Sequence, residues 1–233
     1  MSRKFFETNP VISRLCAEVA EDLKDNFGHG MKHAVRVAAD AGALMLIECG
    51  KGSGYSETLC NLEARLSKGM NCPGRRLLIA QCAGLLHDIM RKETEHAVKG
   101  AVRSRKMLAD YPLSRDEVED VSQAIRNHEA FRDTLKIDTP EGLLLSDCLY
   151  DADKFRWGPD NFEDTIWDML LCSRTPLSKF IRFYPRGMEM LENVRHTFRT
   201  PTGRKYGPQF IDMGLAIGKE VYEIIKTQFS HYL

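Results

Sequence analysis

The sequence predicts an all-α protein, and three observations carry that prediction. Apolar residues recur at helical spacing, as in Val11, Leu15 and Val19 after Asn9-Pro10, where proline suits the first turn of a helix. Residues 77–90 (LLIAQCAGLLHDIM) are almost all apolar and do not alternate with polar residues as a half-buried strand would. No two neighbouring segments have the period-2 pattern of a strand pair. We therefore expect a helical bundle in which residues 77–90 form a central buried helix.

Four further helices are expected before residue 158, each from its own pattern of apolar residues and end signals. A serine followed three residues later by glutamate is a capping box, and proline marks a first turn. The four helices are expected at 31–48, at 95–110 (closed by Tyr111-Pro112), from the capping box of Ser114 and Glu117 towards Asn127-His128, and after Pro140 in the segment EGLLLSDCLYDADKF.

Two amphipathic helices are expected in the C-terminal part, at about 160–196 and 208–230, after Gly158-Pro159. The segment TPTGRKYGPQ (200–209) between them is polar and rich in glycine and proline, which indicates a turn. We expect a single domain over residues 1–233, with a core at about 27–158 and a helical extension at 159–233. The sequence does not indicate an oligomeric state.

Two segments are expected to lie outside the helices. Gly28-His29-Gly30 breaks the first helix, because glycine is a poor helix former. Residues 49–76 are rich in Gly, Ser and Lys, with only one short helix-like piece, so they are expected to form a flexible loop or lid, or a plain surface loop. The glycines in GKGSGYS lack the spacing of a phosphate-binding P-loop.

Composition excludes several classes of protein. Lys and Arg number 33 and so do Asp and Glu, which gives no support for binding bulk nucleic acid or a membrane surface. No apolar run reaches the ~18–20 residues of a membrane span. The seven cysteines include no CxxC pair, which argues against a disulfide framework and a cysteine-rich zinc site. Cys82 and Cys148 lie in apolar stretches and are expected to be buried. The N-terminus turns acidic too early for a signal peptide, so a reduced, cytoplasmic protein is expected.

The pair His87-Asp88 is the most informative point of the sequence. It ends an otherwise apolar helix, where burying a charge is costly unless the charge is paired or bound to a metal. Such dipeptides are common, and a buried Asp can also simply accept a hydrogen bond from a histidine. Four further residues favour the metal: His33, His96, His128 and Asp153 lie on or at the ends of other predicted helices. Imidazoles and carboxylates supplied by several helices are how bundles build metal sites, and they suit a borderline divalent ion.

This ordered set resembles the HD superfamily of metal-dependent phosphohydrolases. The family pattern is a His, a His-Asp pair in an apolar helix, and an Asp followed by a basic residue. The resemblance covers roughly residues 27–158 and implies four metal ligands. The matching residues are His33 in HAVRV, His87 and Asp88 in GLLHDI, and Asp153 in DADK.

The resemblance also leaves the number of ions open. Some members carry two more histidines between the pair and the last aspartate and bind two ions. His96 and His128 fall in those places, and Asp88 would then bridge the ions; alternatively they contact substrate, or are surface or helix-capping histidines. The ion itself can be Mn, Mg, Fe, Co, Ni or Zn. His29 shares a helix face with His33 but follows a glycine, so it is interpreted as a cap or pocket-rim residue.

Phosphate hydrolysis also needs cations for the substrate's charge. Lys154, directly after the last expected ligand, is the first candidate, and Arg91, one turn beyond the His-Asp pair, is the next. Lys92 and Arg36 are weaker candidates with a solvated helix edge as the alternative, and Glu93 is a candidate acid or base by proximity alone. Asp151 is the alternative to Asp153 as a ligand. Tyr150 and Trp157 are expected in the core or stacked on a base.

Three functions fit these residues. The first is hydrolysis of a nucleotide or related phosphate ester by a metal-activated water, with a small-molecule substrate. The second is a di-iron oxygenase, since some HD proteins with this set of six residues hold two irons. The third is a non-catalytic module that senses a ligand. The GYP signature of cyclic-di-nucleotide phosphodiesterases is missing after the pair.

Overall fold

The computed structural model describes residues 1–24, 29–50 and 72–229. Within these ranges the chain forms helices joined by turns and contains no strand, which confirms the all-α prediction. The described helices are α1 (Ser2–Thr8), α2 (Pro10–Val19), α3 (Met31–Gly50), α4 (Cys72–Leu86), α5 (His96–Leu108), α6 (Arg115–Arg126), α7 (Pro140–Phe155), a π-helical turn (Asn161–Thr165), α8 (Ile166–Ser173), α9 (Leu177–Val194) and α10 (Pro201–Gln228).

Helix α4 is the centre of the core, as its apolar sequence predicts. It packs against α3 most extensively and also against α2, α6 and α7. The contact with α3 is very close at Gly84, where a Cβ atom would lie 2.6 Å from the backbone nitrogen of Ala38. Only glycine permits this approach, which brings the N-terminal half of α3 beside the C-terminal end of α4. Cys82 on α4 and Cys148 on α7 are fully buried, as expected.

The central helix ends earlier than predicted. It stops at Leu86, so His87-Asp88 begin a series of turns rather than ending the helix. Short-range bonds replace the helical ladder, including Ile89 N–H to the Leu86 carbonyl at 3.1 Å and Arg91 N–H to the Asp88 carbonyl at 2.9 Å. The turn residue Ile89 is also buried, so the apolar sequence continues past the end of α4. The apolar pattern therefore does not mark where the helix ends.

Several other boundaries differ from prediction. Helix α1 was not expected. Helix α2 ends at Val19, well before the break predicted at residues 28–30. Residue 28 lies outside the described residues. The predicted loop 49–76 is wrong at both edges, where residues 49–50 end α3 and residues 72–76 begin α4. Its central part, 51–71, lies outside the described residues.

The C-terminal extension is helical, but its predicted breaks are misplaced. The expected helix at 160–196 is divided at Arg174, which has a left-handed backbone (φ 49°). The expected turn at 200–209 is the first part of α10. Thr200 caps that helix by accepting the Gly203 N–H at 2.8 Å. Gly207 packs against the ring of Phe198, where a Cβ would overlap it. The segment that predicted a turn therefore contains a residue that caps the helix and a glycine that allows close packing.

Buried carboxylates of the core hold the N-terminus of α10. Asp151 accepts the backbone N–H groups of Arg199 and Thr200, both at 2.8 Å. Glu48, near the end of α3, accepts the Thr202 N–H at 2.9 Å. Carboxylates are favoured at a helix N-terminus, where N–H groups lack intrahelical partners. In the described ranges, no helix has the length and apolar character needed to cross a membrane.

Candidate metal centre

Six predicted site residues meet at one buried point of the bundle. They come from separate elements, namely α3, the turn after α4, the start of α5, the loop after α6, and α7. Each side chain is at most 11% exposed. The six residues are His33, His87, Asp88, His96, His128 and Asp153.

His33, His87 and Asp153 form the first ligand group. The Nε2 atoms of His33 and His87 are 3.2 Å apart, and His33 Nε2 is 3.2 Å from Asp153 Oδ1. His87 Nε2 is 3.7 Å from the same oxygen. All three residues are buried, and their ligand atoms lie within 4.8 Å of one another, a separation that permits one shared ion.

Asp88, His96 and His128 form the second ligand group. The Nε2 atoms of the two histidines are 3.3 Å apart, and each is 3.4 Å from Asp88 Oδ1. The other carboxylate oxygen of Asp88, Oδ2, is 3.5 Å from His87 Nε2. Asp88 therefore lies between the two groups, with one oxygen towards each.

Backbone carbonyls fix the orientation of His87 and His128. His87 Nδ1 lies 2.8 Å from the carbonyl oxygen of Gly84, and His128 Nδ1 lies 2.7 Å from that of Ile125. Since a carbonyl oxygen only accepts, each Nδ1 carries the proton and donates it. In the neutral rings the Nε2 lone pairs then point into the cluster. Metal-binding histidines are held in this way by a partner of the second ring nitrogen.

Burial and neighbouring charges set the protonation of the cluster. Burial lowers the pKa of His87 to about 3, so its ring is neutral at pH 7. Burial favours protonation of Asp88, but its interactions with His87 and with the other surrounding histidines hold the pKa of the Asp88 carboxyl well below its usual value. Burial acts likewise on Asp153, yet the Lys154 ammonium and a hydrogen bond from His33 hold its pKa well below the usual value. Both carboxylates are therefore charged.

Two of the candidate cations lie at the cluster. Lys154 is buried, its Nζ forms an ion pair with Asp153 Oδ2, and it lies 5.0 Å from the centre of the Tyr150 ring. Arg91 Nη1 lies 3.2 Å from His96 Nε2 and 3.8 Å from Asp88 Oδ1.

The other charged candidates contact different partners. Arg36 pairs with Asp164 at 2.9 Å. Lys92 donates to the backbone carbonyl of residue 24 at 3.3 Å, and Glu93 accepts from Lys99 at 2.9 Å. The structure brings none of these three into a described contact with the two ligand groups.

Asp151, the alternative ligand, has a different environment from Asp153. Its carboxylate accepts hydrogen bonds at the N-terminus of α10, including the Thr200 hydroxyl at 2.7 Å. Burial raises the pKa of Asp151 to about 6, although these hydrogen bonds oppose the rise. Tyr150 is buried, with the Arg199 guanidinium 3.6 Å from its ring centre, and Trp157 packs against the core.

His29 is closer to the cluster than the sequence indicated. Its Nδ1 lies 2.9 Å from Asp88 Oδ2, and together with His33 and Asp88 it can form a further ligand set. Its i, i+4 relation to His33 is visible in the sequence, but the preceding glycine led to its interpretation as a cap or rim residue. Position 29 precedes α3, and the geometry of such a segment is not readable from helical periodicity.

A cavity of about 290 Å³ opens beside His33. The first turns of α3 form one wall, and the segment from Arg156 to the start of α8 forms another. Charged side chains of both signs line it, and several of them form ion pairs: Arg36 Nη1 lies 3.3 Å from Asp160 Oδ2, which also pairs with Arg156. The cavity therefore combines charged side chains with apolar surface, and it lies next to His33 of the first ligand group.

The chemistry of the donor set fits divalent metal ions. Neutral imidazole nitrogens and charged carboxylate oxygens are the ligands preferred by Mn, Fe, Co, Ni and Zn, with Mg favouring the oxygens. Ligand atoms from different elements converge in each ligand group within 4.8 Å, an arrangement that is electrostatically unfavourable unless a cation or a shared proton lies among them. The cluster can therefore hold one ion in each ligand group.

A family model described as HD domain matches residues 31–158 of the chain. No curated protein and no solved structure matches the chain significantly. HD domains bind divalent metals, and members of the family are generally hydrolases. Because the matched region spans more than half of the 233 residues, this chain belongs to the HD domain family, within the superfamily of metal-dependent phosphohydrolases.

Proposed function

We propose that this protein hydrolyses the phosphate ester or anhydride of a nucleotide or related small molecule, using two divalent ions. One observation carries the proposal: two groups of ligand atoms share the Asp88 carboxylate, whose Oδ1 lies 3.4 Å from His96 and His128 while its Oδ2 lies 3.5 Å from His87. Paired ions bridged by one carboxylate are a common arrangement for phosphoryl chemistry.

The residues have separate tasks in this proposal. His33, His87 and Asp153 would hold one ion, His96 and His128 would hold the other, and Asp88 would serve as a ligand to both. A bound divalent ion lowers the pKa of its water to about 7 and offsets charge on a phosphoryl oxygen. Lys154 stabilises negative charge at the first ligand group while it orients Asp153.

The cavity beside His33 supports a substrate larger than phosphate alone. Its volume of about 290 Å³ is close to the lower end of the range for small-molecule sites, roughly 300–1,000 Å³. Its paired acidic and basic side chains offer both acceptors and donors to hydroxyl and amino groups, which a nucleoside carries. The phosphate would then lie at the ligand groups, next to His33 at the edge of the cavity.

Loss of a first-group ligand should abolish the activity. We expect His87→Ala and Asp153→Ala to lower phosphate release by about 100-fold or more, because the ion supplies several kcal/mol of transition-state stabilisation. The measurement is phosphate release from a panel of nucleotides with Mn, Mg, Co or Ni. His196→Ala is the matched control, since His196 is an exposed histidine outside the ligand groups and its removal should leave the rate unchanged. Wild-type activity in both ligand variants would disprove the proposal.

The same donor set also supports the di-iron oxygenase alternative, because four imidazoles and two carboxylates suit iron. That alternative predicts iron in the purified protein and oxygen consumption, neither of which a phosphohydrolase requires. Metal analysis of the purified protein, followed by an oxygen-electrode assay, separates the two. Loss of activity with a chelator would not separate them, since both functions need an ion.

A further inference from the structure

A positively charged side chain of the protein, Arg91, lies beside the second ligand group. Asp88 Oδ1 and the Nε2 atoms of His96 and His128 lie within 3.4 Å of one another. His128 donates from Nδ1 to the Ile125 carbonyl, so its Nε2 is a lone pair in the neutral ring. Three acceptors thus converge, and Arg91 is the cation that faces them, with Nη1 3.2 Å from His96 Nε2 and 3.8 Å from Asp88 Oδ1.

The contacts of Arg91 define the proton positions of two histidines. A guanidinium only donates, so His96 Nε2 accepts from Nη1 and is unprotonated. Arg91 Nη2 lies 3.3 Å from His29 Nε2, which accepts in the same way. The proton of His29 is then on Nδ1, which lies 2.9 Å from Asp88 Oδ2. Arg91 therefore uses the very nitrogen of His96 that an ion would need.

Lys154 at the first ligand group does not compete in this way. Its ammonium pairs with Asp153 Oδ2, while the other oxygen, Oδ1, faces His33 and His87. An ion in the first ligand group can use Oδ1 with Lys154 in place. An ion in the second ligand group can use His96 Nε2 only after Arg91 has moved, and Arg91 has room to move because a third of its side chain is exposed.

We propose that the Arg91 guanidinium occupies the second ligand group when no metal is bound. Arg91 must then move away before an ion binds there. The inference rests on the ligand groups of the proposed function and adds their order of loading. Arg91 weakens the second ligand group twice, because it occupies His96 Nε2 and because its charge repels a second cation. The first ligand group therefore fills first, and the freed guanidinium becomes available to a substrate phosphate.

Metal titration of variants tests this inference without any enzyme assay. Calorimetric titration of chelator-treated protein with Mn²⁺ should show two binding events for wild type. In Arg91→Met the weaker event should tighten by roughly tenfold or more, since hydrogen bonds no longer compete with the ion, and the tighter event should not change. Arg91→Lys keeps the charge but cannot bridge His29 and His96, so it should lie between. Lys99→Met removes an exposed cation one turn along α5 and should change neither event.

Each outcome has a distinct meaning. An unchanged second event in Arg91→Met overturns the inference, whereas a single event in both proteins contradicts the two-ion proposal on which the inference rests. Equal tightening in Lys99→Met also overturns it, because the effect would then be one of general charge. Absence of any Mn²⁺ binding in wild type disproves the two-ion proposal itself. Circular dichroism melts in chelator identify a variant that fails to fold, in which case Arg91→Lys gives the decisive comparison.

Discussion

Asp151 and Asp153 lie two residues apart on α7 and have opposite surroundings. The carboxylate of Asp153 faces the imidazoles of His33 and His87, while that of Asp151 faces backbone N–H groups at the start of α10. A helix turns about 100° per residue, so two positions two apart point to well-separated directions. The sequence offers both as ligands because they share residue type and neighbourhood; only the packing of α7 distinguishes them.

Substitutions at these two positions should therefore have different effects. Asp151→Ala leaves the N–H groups of Arg199 and Thr200 and the Thr200 hydroxyl without their acceptor, which should lower the free energy of unfolding by about 1–3 kcal/mol. The affinity of the Asp151→Ala variant for Mn²⁺ should stay close to that of the wild-type protein. Asp153→Ala should lose the first ion instead. Urea denaturation in chelator and metal titration measure the two quantities, and loss of the first ion in Asp151→Ala would contradict the assignment.

At the scale of elements, the contact between α3 and α4 sets the distance between His33 and His87. Gly84 on α4 touches the backbone of Ala38 on α3, and its carbonyl oxygen also accepts the proton of His87 Nδ1. A single glycine therefore controls both the separation of the helices and the orientation of one ligand. In the sequence it appears only as a glycine within an apolar run.

Gly84→Ala should push the two helices apart. Overpacking of this kind lowers the free energy of unfolding by typically about 1–3 kcal/mol, and the affinity of the first ligand group for Mn²⁺ should fall with it. Gly187→Ala on α9 is the matched control, because no atom lies within 4 Å of the added Cβ; alanine in a helix should raise stability by roughly 0.5–1 kcal/mol. Urea denaturation measures both. An equal effect of the two substitutions would show that helix propensity, and not packing, decides.

Periodicity predicted most helices because one face of each is buried. It failed where capping and close packing of individual residues decide whether a segment is helical. Residues 200–209 contain glycines and prolines that predict a turn, yet Thr200 caps a helix and Gly207 packs on Phe198. The ligand residues were recognisable because charged groups are rare beside apolar runs. Their division into two groups was not, since it depends on distances between α3, α5, α7 and the loops near them.

At the scale of the whole molecule, the ligand groups join elements that are far apart in sequence. The first ligand group links α3, the turn after α4 and α7, and the second links that turn to α5 and the loop after α6. An ion that binds only the folded arrangement stabilises all of these elements together. In the absence of an ion, imidazole nitrogens and carboxylate oxygens converge at the centre of the bundle.

Divalent ions should therefore raise the melting temperature. At a free ion concentration of 100 times Kd, binding adds about 2.7 kcal/mol, which for a chain of this size corresponds to a rise in Tm of roughly 5–11 °C. Asp88→Asn, which removes the charge shared by both ligand groups, should show little or no rise. Differential scanning calorimetry with Mn²⁺ or chelator measures the difference. An equal rise in both proteins would mean that the stabilising ion binds elsewhere.

The anchoring of α10 has a consequence for where this protein can be cut. The family match ends at residue 158, but Asp151 and Glu48 receive their N–H donors from residues 199, 200 and 202. A chain that stopped at the end of the match would lose those donors and would place two acidic side chains of its interior in contact with water. In this chain the family match thus ends some 40 residues before the N–H groups that these two buried carboxylates bind.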